Sequence, residues 1–124
     1  MEQDSCIEIT AVDRVAVVGF KVEWLTDVED LNGAAERVRE FVKQQRPRRV
    51  VFDFSGVKFF SSQVLGLLLA ARAQVQEIGG DLVICSVEPQ LYRIFKVTHL
   101  DRVFKFFPDR EIAVRIDRQN SNCA

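Results

Sequence analysis

Hydrophobic residues follow two different spacings along this chain, and the spacing changes repeatedly. Between Val28 and Val42 they recur every three or four positions, which is typical of an amphipathic helix. The segments Arg14–Phe20 and Arg49–Phe54 are instead short and dense in apolar residues, as strands are. These spacings predict strands over 7–10, 14–20, 49–54, 81–86 and 103–107, a short strand near 24–25, and helices over 28–45, 62–78, 88–97 and 108–116.

The order of these elements predicts an α/β fold. Strands come first, and helices and strands then alternate, which favours a mixed sheet with helices packed on it. Thr26 or Asp27 is a plausible cap for the first long helix, and Gly79-Gly80 should end the second. A chain of 124 residues is expected to form one domain, with a core over about 7–117 and a disordered tail over 118–124.

Composition narrows the class of protein further. Hydrophobic residues make up 48% of the chain and charged residues 28%, which is enough for one soluble, globular core. The net charge of −1 gives no general electrostatic case for nucleic acid. The basic run Arg46–Arg49 is interpreted as a solvated connector, with an anionic partner as the alternative. No signal peptide and no membrane-spanning apolar stretch is visible, so we expect a cytoplasmic protein without membrane insertion.

The three cysteines indicate a reducing compartment rather than a metal site. Cys6, Cys85 and Cys123 are widely spaced, without a CxxC motif or a nearby histidine at ligand spacing. Cys85 lies in an apolar strand, where a free cysteine acts as a small hydrophobe. Cys6 and Cys123 lie near the termini, and we expect them to be exposed or mobile.

Residues suited to catalysis are sparse. His99 is the only histidine, and nothing in the sequence connects it to a serine and an acid as a triad would require. Asp53 ends a strand and is a candidate phosphoacceptor or metal ligand, but we favour an Asp that stabilises the turn at Ser55-Gly56. We therefore predict a protein without enzymatic activity and without a cofactor.

The most informative segment is 51–69, in which a strand and a turn lead to Ser61-Ser62 at the start of a long helix. A helix N-terminus has unpaired N–H groups and a partial positive charge, which favour a phosphate there. Phosphorylation of a serine at this place would form a regulatory switch. The alternative is that the hydroxyl only caps the helix, because Ser is a preferred N-cap residue.

Three ordered segments resemble the STAS domain, and within it the bacterial anti-sigma factor antagonists, also called anti-anti-sigma factors. Residues 53–68, DFSGVKFFSSQVLGLL, are similar to the family pattern D-L-S-G-V-x-F-I-D-S-S-G-L-G-x-L. Residues 79–85 resemble its G-G-x-L-x-L-x strand entry, and residues 89–104 resemble its P-x-V-x-x-x-F…T-G-L-D-x-x-F segment. The resemblance implies a single STAS domain with a four- to five-stranded mixed sheet and helices packed mainly on one face.

The resemblance also implies a function and a set of partners. An antagonist of this family binds an anti-sigma factor that is also a serine kinase with a histidine-kinase-like ATPase fold. Phosphorylation of a serine at the start of the second helix ends that binding, and a PP2C-type phosphatase restores it. The matching position is Ser62, with Ser61 as second choice, and the oligomeric state stays open. The implied partner-binding residues are Asp27, Asp53, Ser61, Ser62, Gln63 and Val64.

The chain departs from the family pattern around the candidate serine. Ser61 stands where the family has Asp, Gln63 where it has Ser, and Val64 where it has Gly. These changes leave open a second function, a STAS interaction or scaffold domain without phosphoregulation, such as a stressosome-like or transporter-associated adaptor. An enzyme or nucleotide-binding protein built on Asp53, Ser62 and His99 ranks third.

Overall fold

Residues 6–115 are described by the computed structural model. They contain seven β-strands, four α-helices and one short 3-10 helix. In chain order these are β1 Ile7–Val12, β2 Val15–Phe20, β3 Trp24–Leu25, α1 Val28–Gln45, β4 Arg49–Asp53, β5 Phe59–Phe60, α2 Ser62–Glu77, β6 Asp81–Cys85, α3 Pro89–Val97, the 3-10 helix Leu100–Arg102, β7 Lys105–Phe107 and α4 Arg110–Ala113.

Five strands form one mixed sheet in the order β1-β2-β4-β6-β7. β1 pairs antiparallel with β2, and the other neighbours are parallel. The predicted fold class and strand number are therefore confirmed. β3 and β5 pair separately as a two-stranded parallel sheet, and this small sheet becomes important for the site.

The two faces of the large sheet are covered unequally. On the first face, alternate strand residues such as Val50 and Phe52 join a core with α1, α2 and α3. On the second face, Val51, Val83 and Cys85 pack against Ala113 of the four-residue helix α4. Helices thus lie mainly on one face, as predicted, and the central strands are buried on both sides. None of the helices between residues 6 and 115 is long and apolar enough to cross a membrane.

Most element boundaries agree with the prediction, and the exceptions have local causes. The Asp27 carboxylate accepts a hydrogen bond from the Asp30 N–H at 3.0 Å, so Asp27 is the cap of α1. The last strand begins at Lys105 because the N–H groups of Val103 and Phe104 donate back to the Leu100 carbonyl of the 3-10 helix rather than to a neighbouring strand. In place of the predicted helix over 108–116, only the short helix α4 forms. Asp109 is its N-cap residue, and the Asp109 carboxylate accepts a hydrogen bond from the Ile112 N–H at 2.9 Å. Residue 116 and the predicted tail over 118–124 lie outside the described residues.

The end of α2 shows why two glycines follow it. Gly79 has φ +85°, a left-handed conformation that glycine adopts without strain. A Cβ on Gly80 would lie 2.7 Å from the Arg48 carbonyl oxygen, so this position admits no side chain. The close approach lets the Asp81 N–H donate to the same oxygen at 3.0 Å, which starts β6 in register with β4.

The prediction that Cys6 is exposed was wrong. Its relative exposure is 4%, because α1 packs across the start of β1, and its thiol donates to the Asp30 carbonyl at 3.7 Å. Cys85 is also buried, as predicted. Burial raises the pKa of the Cys6 thiol, and it raises that of Cys85 to about 11. Cys123 lies outside the described residues.

Candidate functional site

The small β3–β5 sheet fixes the start of α2. After the turn that follows β4, the chain forms β5, in which Phe60 lies opposite Leu25 of β3. The Ser61 N–H then donates to the Leu25 carbonyl at 3.0 Å. Ser62 follows as the first residue of α2 and is exposed. The helix N-terminus is therefore held next to residues 24–27 by backbone hydrogen bonds.

Ser61 occupies the N-cap position of α2 but its hydroxyl does not cap. Its backbone is extended, with φ −84° and ψ 166°, and its carbonyl accepts from the Val64 N–H at 3.0 Å. The side-chain oxygen is buried and has no hydrogen-bond partner among residues 6–115. The alternative that a serine hydroxyl caps this helix is therefore not met at Ser61, which makes no side-chain hydrogen bond to the first-turn amides.

We expect Ser61→Ala to change the free energy of unfolding by less than about 0.5 kcal/mol. A capping serine costs about 1 kcal/mol when replaced by alanine, but a buried hydroxyl without a partner carries no such bond to lose. Urea denaturation of wild type and variant measures the difference. Asp27→Ala, which removes a cap that does form, is the matched control and should lose about 1 kcal/mol. A similar loss in Ser61→Ala would show that the hydroxyl caps α2 in solution.

The other predicted contact residues divide into surface and interior. Asp27 is exposed at the start of α1, and the Gln63 amide donates to the Asn32 side chain at 2.9 Å, linking the first turn of α2 to α1. Val64 is 0% exposed and Asp53 is 3% exposed. Neither of these two side chains presents a surface to a partner, so the structure does not support them as contact residues. The contact of Asp27, Ser61, Ser62 and Gln63 with a partner stays a prediction.

Val64 is buried because it belongs to the apolar stripe of α2. The stripe continues through Leu67, Leu68, Ala71 and Val75 at helical spacing, and all of these side chains pack into the core of the first sheet face. The valine thus replaces the family's glycine on the inner side of the helix. The outer side of the first turn remains polar.

Asp53 stabilises the turn after β4, as we favoured. Its carboxylate accepts from the Ser55 N–H at 2.9 Å and from the Arg110 guanidinium at 2.7 Å. Burial alone raises the pKa of Asp53, but the hydrogen bonds from Ser55 and Arg110 outweigh it, so the pKa lies below its usual value. The contact with Arg110 joins the carboxyl end of β4 to α4, and no local sequence pattern predicts it.

We expect Asp53→Asn to lower the free energy of unfolding at pH 7 by about 1–3 kcal/mol. Arg110 is half-exposed, so solvent screening keeps the loss below that of a fully buried pair. Because the folded-state pKa is lowered, the ionised carboxylate stabilises the fold above the unfolded value of about pH 4, and this contribution disappears as pH falls through the folded pKa. Urea denaturation should therefore show a wild-type advantage that shrinks below pH 4. Asp27→Asn, at an exposed position, is the control, and an advantage independent of pH would contradict the assignment.

The surroundings of Ser62 are acidic. Asp27, Glu29 and Asp30 lie at the start of α1, and Glu23 precedes β3. The nearby Lys58 pairs with Glu88 at 3.3 Å. A phosphate on Ser62 would add about −1.5 to −2 charges to a surface that already carries several carboxylates.

The described residues do not form a metal site, and His99 lies in a turn. Residues 6–115 contain no group of three or more His, Cys, Asp or Glu side chains that could hold a metal ion. His99 has φ +65° and precedes the 3-10 helix, where it forms part of the turn after α3.

The fold agrees with the family comparison. The STAS domain family model matches residues 7–113, and the chain belongs to this family. Proteins named as anti-sigma factor antagonists are among those to which it is similar. It is 30% identical over 66 residues to BtrV of Bordetella bronchiseptica, which is named as an anti-sigma factor antagonist. That match covers 53% of this chain and 57% of BtrV, a little over half of each.

Solved structures of the same type share the fold along nearly the whole chain. An anti-sigma-factor antagonist (STAS) domain protein from Planctomyces limnophilus superposes with a TM-score of 0.78 and 26% identity, covering 89% of this chain and 95% of that one. The anti-sigma factor antagonist SpoIIAA, in its unphosphorylated form, gives a TM-score of 0.76 at 17% identity, covering 93% and 96%. SpoIIAA of Bacillus has also been solved in its phosphorylated form, with a TM-score of 0.64 at 14% identity, covering 94% and 96%.

Proposed function

We propose that this chain is a cytoplasmic anti-sigma factor antagonist that is switched off by phosphorylation of Ser62. Its unphosphorylated form binds an anti-sigma factor that is also a serine kinase with a histidine-kinase-like ATPase fold. A PP2C-type phosphatase restores the binding form. The observation that carries the proposal is that Ser62 is exposed at the first position of α2. The sequence resemblance assigns the phosphorylated serine to this position.

The two adjacent serines differ in their access to a kinase. The Ser61 oxygen is buried, whereas Ser62 lies on the surface. A phosphate on Ser62 would also lie at the helix N-terminus, where the first-turn N–H groups and the helix dipole favour an anion. The modification would therefore require no refolding, and its added charge and bulk would act directly on the bound partner.

In vitro phosphorylation tests this proposal. Each histidine-kinase-like ATPase of the source genome is purified and incubated with this protein and Mg-ATP, and the product is analysed by intact mass and peptide sequencing. We expect one ATPase to add a single phosphate to wild type and to Ser61→Ala, and none to Ser62→Ala. A phosphate on Ser61, or none from an ATPase that binds the protein, would contradict the proposal.

A second function, an interaction or scaffold domain without phosphoregulation, is favoured by the altered first turn of α2. This turn has no acidic residue, and Gln63 is engaged by Asn32 beside the candidate serine. In that case a partner would bind wild type and Ser62→Asp equally, and no kinase would modify either. Binding assays with the two proteins therefore distinguish the functions.

A further inference from the structure

Two large aromatic side chains lie exposed and in contact on the β3–β5 sheet. Trp24 has a relative exposure of 62% and Phe59 of 43%. Their ring centroids are 5.5 Å apart with an interplanar angle of 42°, a favourable aromatic contact. They are also register partners on the two strands, so the contact is built into the backbone pairing.

The aromatic pair is held firmly by its strands. The N–H groups of Lys58 and Phe59 both donate to the Glu23 carbonyl, at 2.8 and 3.2 Å. The next register pair, Leu25 and Phe60, is buried and anchors the small sheet to the core. Trp24 and Phe59 therefore present a preorganised apolar surface, which lowers the entropy cost of binding.

This surface continues into the proposed phosphorylation site. Phe59 is three residues before Ser62, and the hydrogen bond from Ser61 to Leu25 ties the start of α2 to β3. Val28, 59% exposed, adds an apolar side chain at the start of α1. Other strongly exposed hydrophobic residues, Val12 and Val97 at 72% each, lie on β1 and at the end of α3, on other elements.

The charges near the aromatic pair indicate what can cover it. Glu23 and Asp27 are exposed on either side of Trp24 in the sequence, with Glu29 and Asp30 following, while Lys58 beside Phe59 is paired with Glu88 at 3.3 Å. A symmetric contact with a second copy of this chain would bring these carboxylates against one another. A partner with an apolar pocket bordered by Lys and Arg side chains fits both the rings and the charge.

We propose that Trp24 and Phe59 are the apolar anchor that binds the anti-sigma factor/serine kinase, entering a hydrophobic pocket bordered by basic side chains. This inference rests on the proposed function, whose partner it takes as occupant. Aromatic residues, Trp above all, supply much of the binding energy at protein interfaces when a ring of other contacts excludes water. The aromatic pair would thus supply much of the binding energy, and phosphorylation of Ser62 at its edge would regulate the binding.

Binding measurements with single variants test the anchor. The ATPase that phosphorylates the wild-type protein is titrated with Trp24→Ala, Phe59→Ala and the control Val97→Ala. We expect the dissociation constant to rise at least about tenfold for each aromatic variant and less than about twofold for the control. Thermal unfolding monitored by circular dichroism establishes that each variant is folded, and Trp24→Phe should recover part of the affinity.

The single tryptophan of the chain supplies a second readout that needs no destabilising variant. Wild-type protein labelled with 5-fluorotryptophan gives one ¹⁹F signal, from Trp24. We expect this signal to shift on addition of the ATPase and to become insensitive to a soluble paramagnetic quencher. A bound complex in which Trp24 remains accessible to the quencher would overturn the anchor.

The possible results distinguish a failure of the aromatic anchor from a failure of the phosphoregulated function. Normal binding by Trp24→Ala and Phe59→Ala, with weak binding by Ser62→Asp, would overturn the anchor and leave the proposed function intact. Weak binding by the aromatic variants with normal binding by Ser62→Asp would support the anchor and contradict the phosphoregulated function. A Trp24-dependent dimer of the protein alone, seen by analytical ultracentrifugation, would overturn the assigned partner in favour of a second copy.

Discussion

Ser62→Asp is expected to weaken binding of the anti-sigma factor/serine kinase by at least about 100-fold, because a larger, charged side chain in the middle of the contact must lose its water there without a partner of its own. The position is exposed at the start of α2, and carboxylates from residues 23–30 lie on the elements beside it. The partner's basic side chains are matched to these existing carboxylates, so the added charge at Ser62 is buried at the contact without a matching cation. Ser62→Ala removes only the hydroxyl and should bind within about threefold of wild type.

Stability measurements separate this effect from unfolding. A negative charge at a helix N-terminus stabilises the helix by about 0.3–1 kcal/mol, so Ser62→Asp should unfold at the same temperature as wild type or higher. Gln45→Glu adds the same charge at the exposed far end of α1 and should leave binding unchanged. Isothermal titration calorimetry with the purified ATPase gives the affinities. Equal losses in Ser62→Asp and Gln45→Glu would attribute the effect to net charge rather than to the site.

Phe95→Ala is expected to lower the free energy of unfolding by about 3–5 kcal/mol. Phe95 of α3 is 0% exposed, and its ring lies within 5.0–6.4 Å of the rings of Phe54, Phe60, Phe104 and Phe106, centroid to centroid. The substitution leaves a cavity among four aromatic side chains from separate parts of the chain. Since domains of this size are stable by about 5–15 kcal/mol, the loss is a large share of the total.

Urea denaturation at 25 °C measures this loss directly. Val97→Ala, two residues further along α3 and 72% exposed, is the matched control and should change stability by less than about 0.5 kcal/mol. A loss below about 1 kcal/mol in Phe95→Ala would mean that the neighbouring rings close the cavity. The described packing of α3 would then not be the packing in solution.

The elements with strong local signals were predictable from the sequence. α1 was placed at its observed bounds because its apolar period is regular and Asp27 marks its start. Gly79-Gly80 marked the end of α2 in the same way. The STAS resemblance then implied a four- to five-stranded mixed sheet and pointed to Ser62 as the candidate serine, neither of which local patterns alone determine.

Features that depend on distant residues were not predictable. β5 has only two residues and exists because it pairs with β3, about 35 positions earlier in the chain. The bond between Asp53 and Arg110 joins residues 57 positions apart. Cys6 is buried by α1, although its place near the terminus suggested exposure. In each case tertiary contacts determine the outcome, and neither periodicity nor motif spacing reports them.

Part of the site could have been interpreted better from the sequence itself. Val64 continues the helical stripe of Leu67, Leu68, Ala71 and Val75, so its burial follows from periodicity. The family pattern has glycine at this position, and the comparison with that glycine suggested a surface residue instead. The exposed pair of Trp24 and Phe59 gave no such signal, because an isolated aromatic residue is as consistent with a core as with a surface.

The most direct test of the phosphoregulated function compares one protein in two states. The chain, fully phosphorylated on Ser62 by its kinase and then freed of it, is titrated against that histidine-kinase-like ATPase beside the unphosphorylated chain. We predict a loss of affinity of at least about 100-fold on phosphorylation, with full recovery after treatment by a PP2C-type phosphatase. Equal affinity of the two states would contradict the switch and assign this STAS domain to constitutive partner binding.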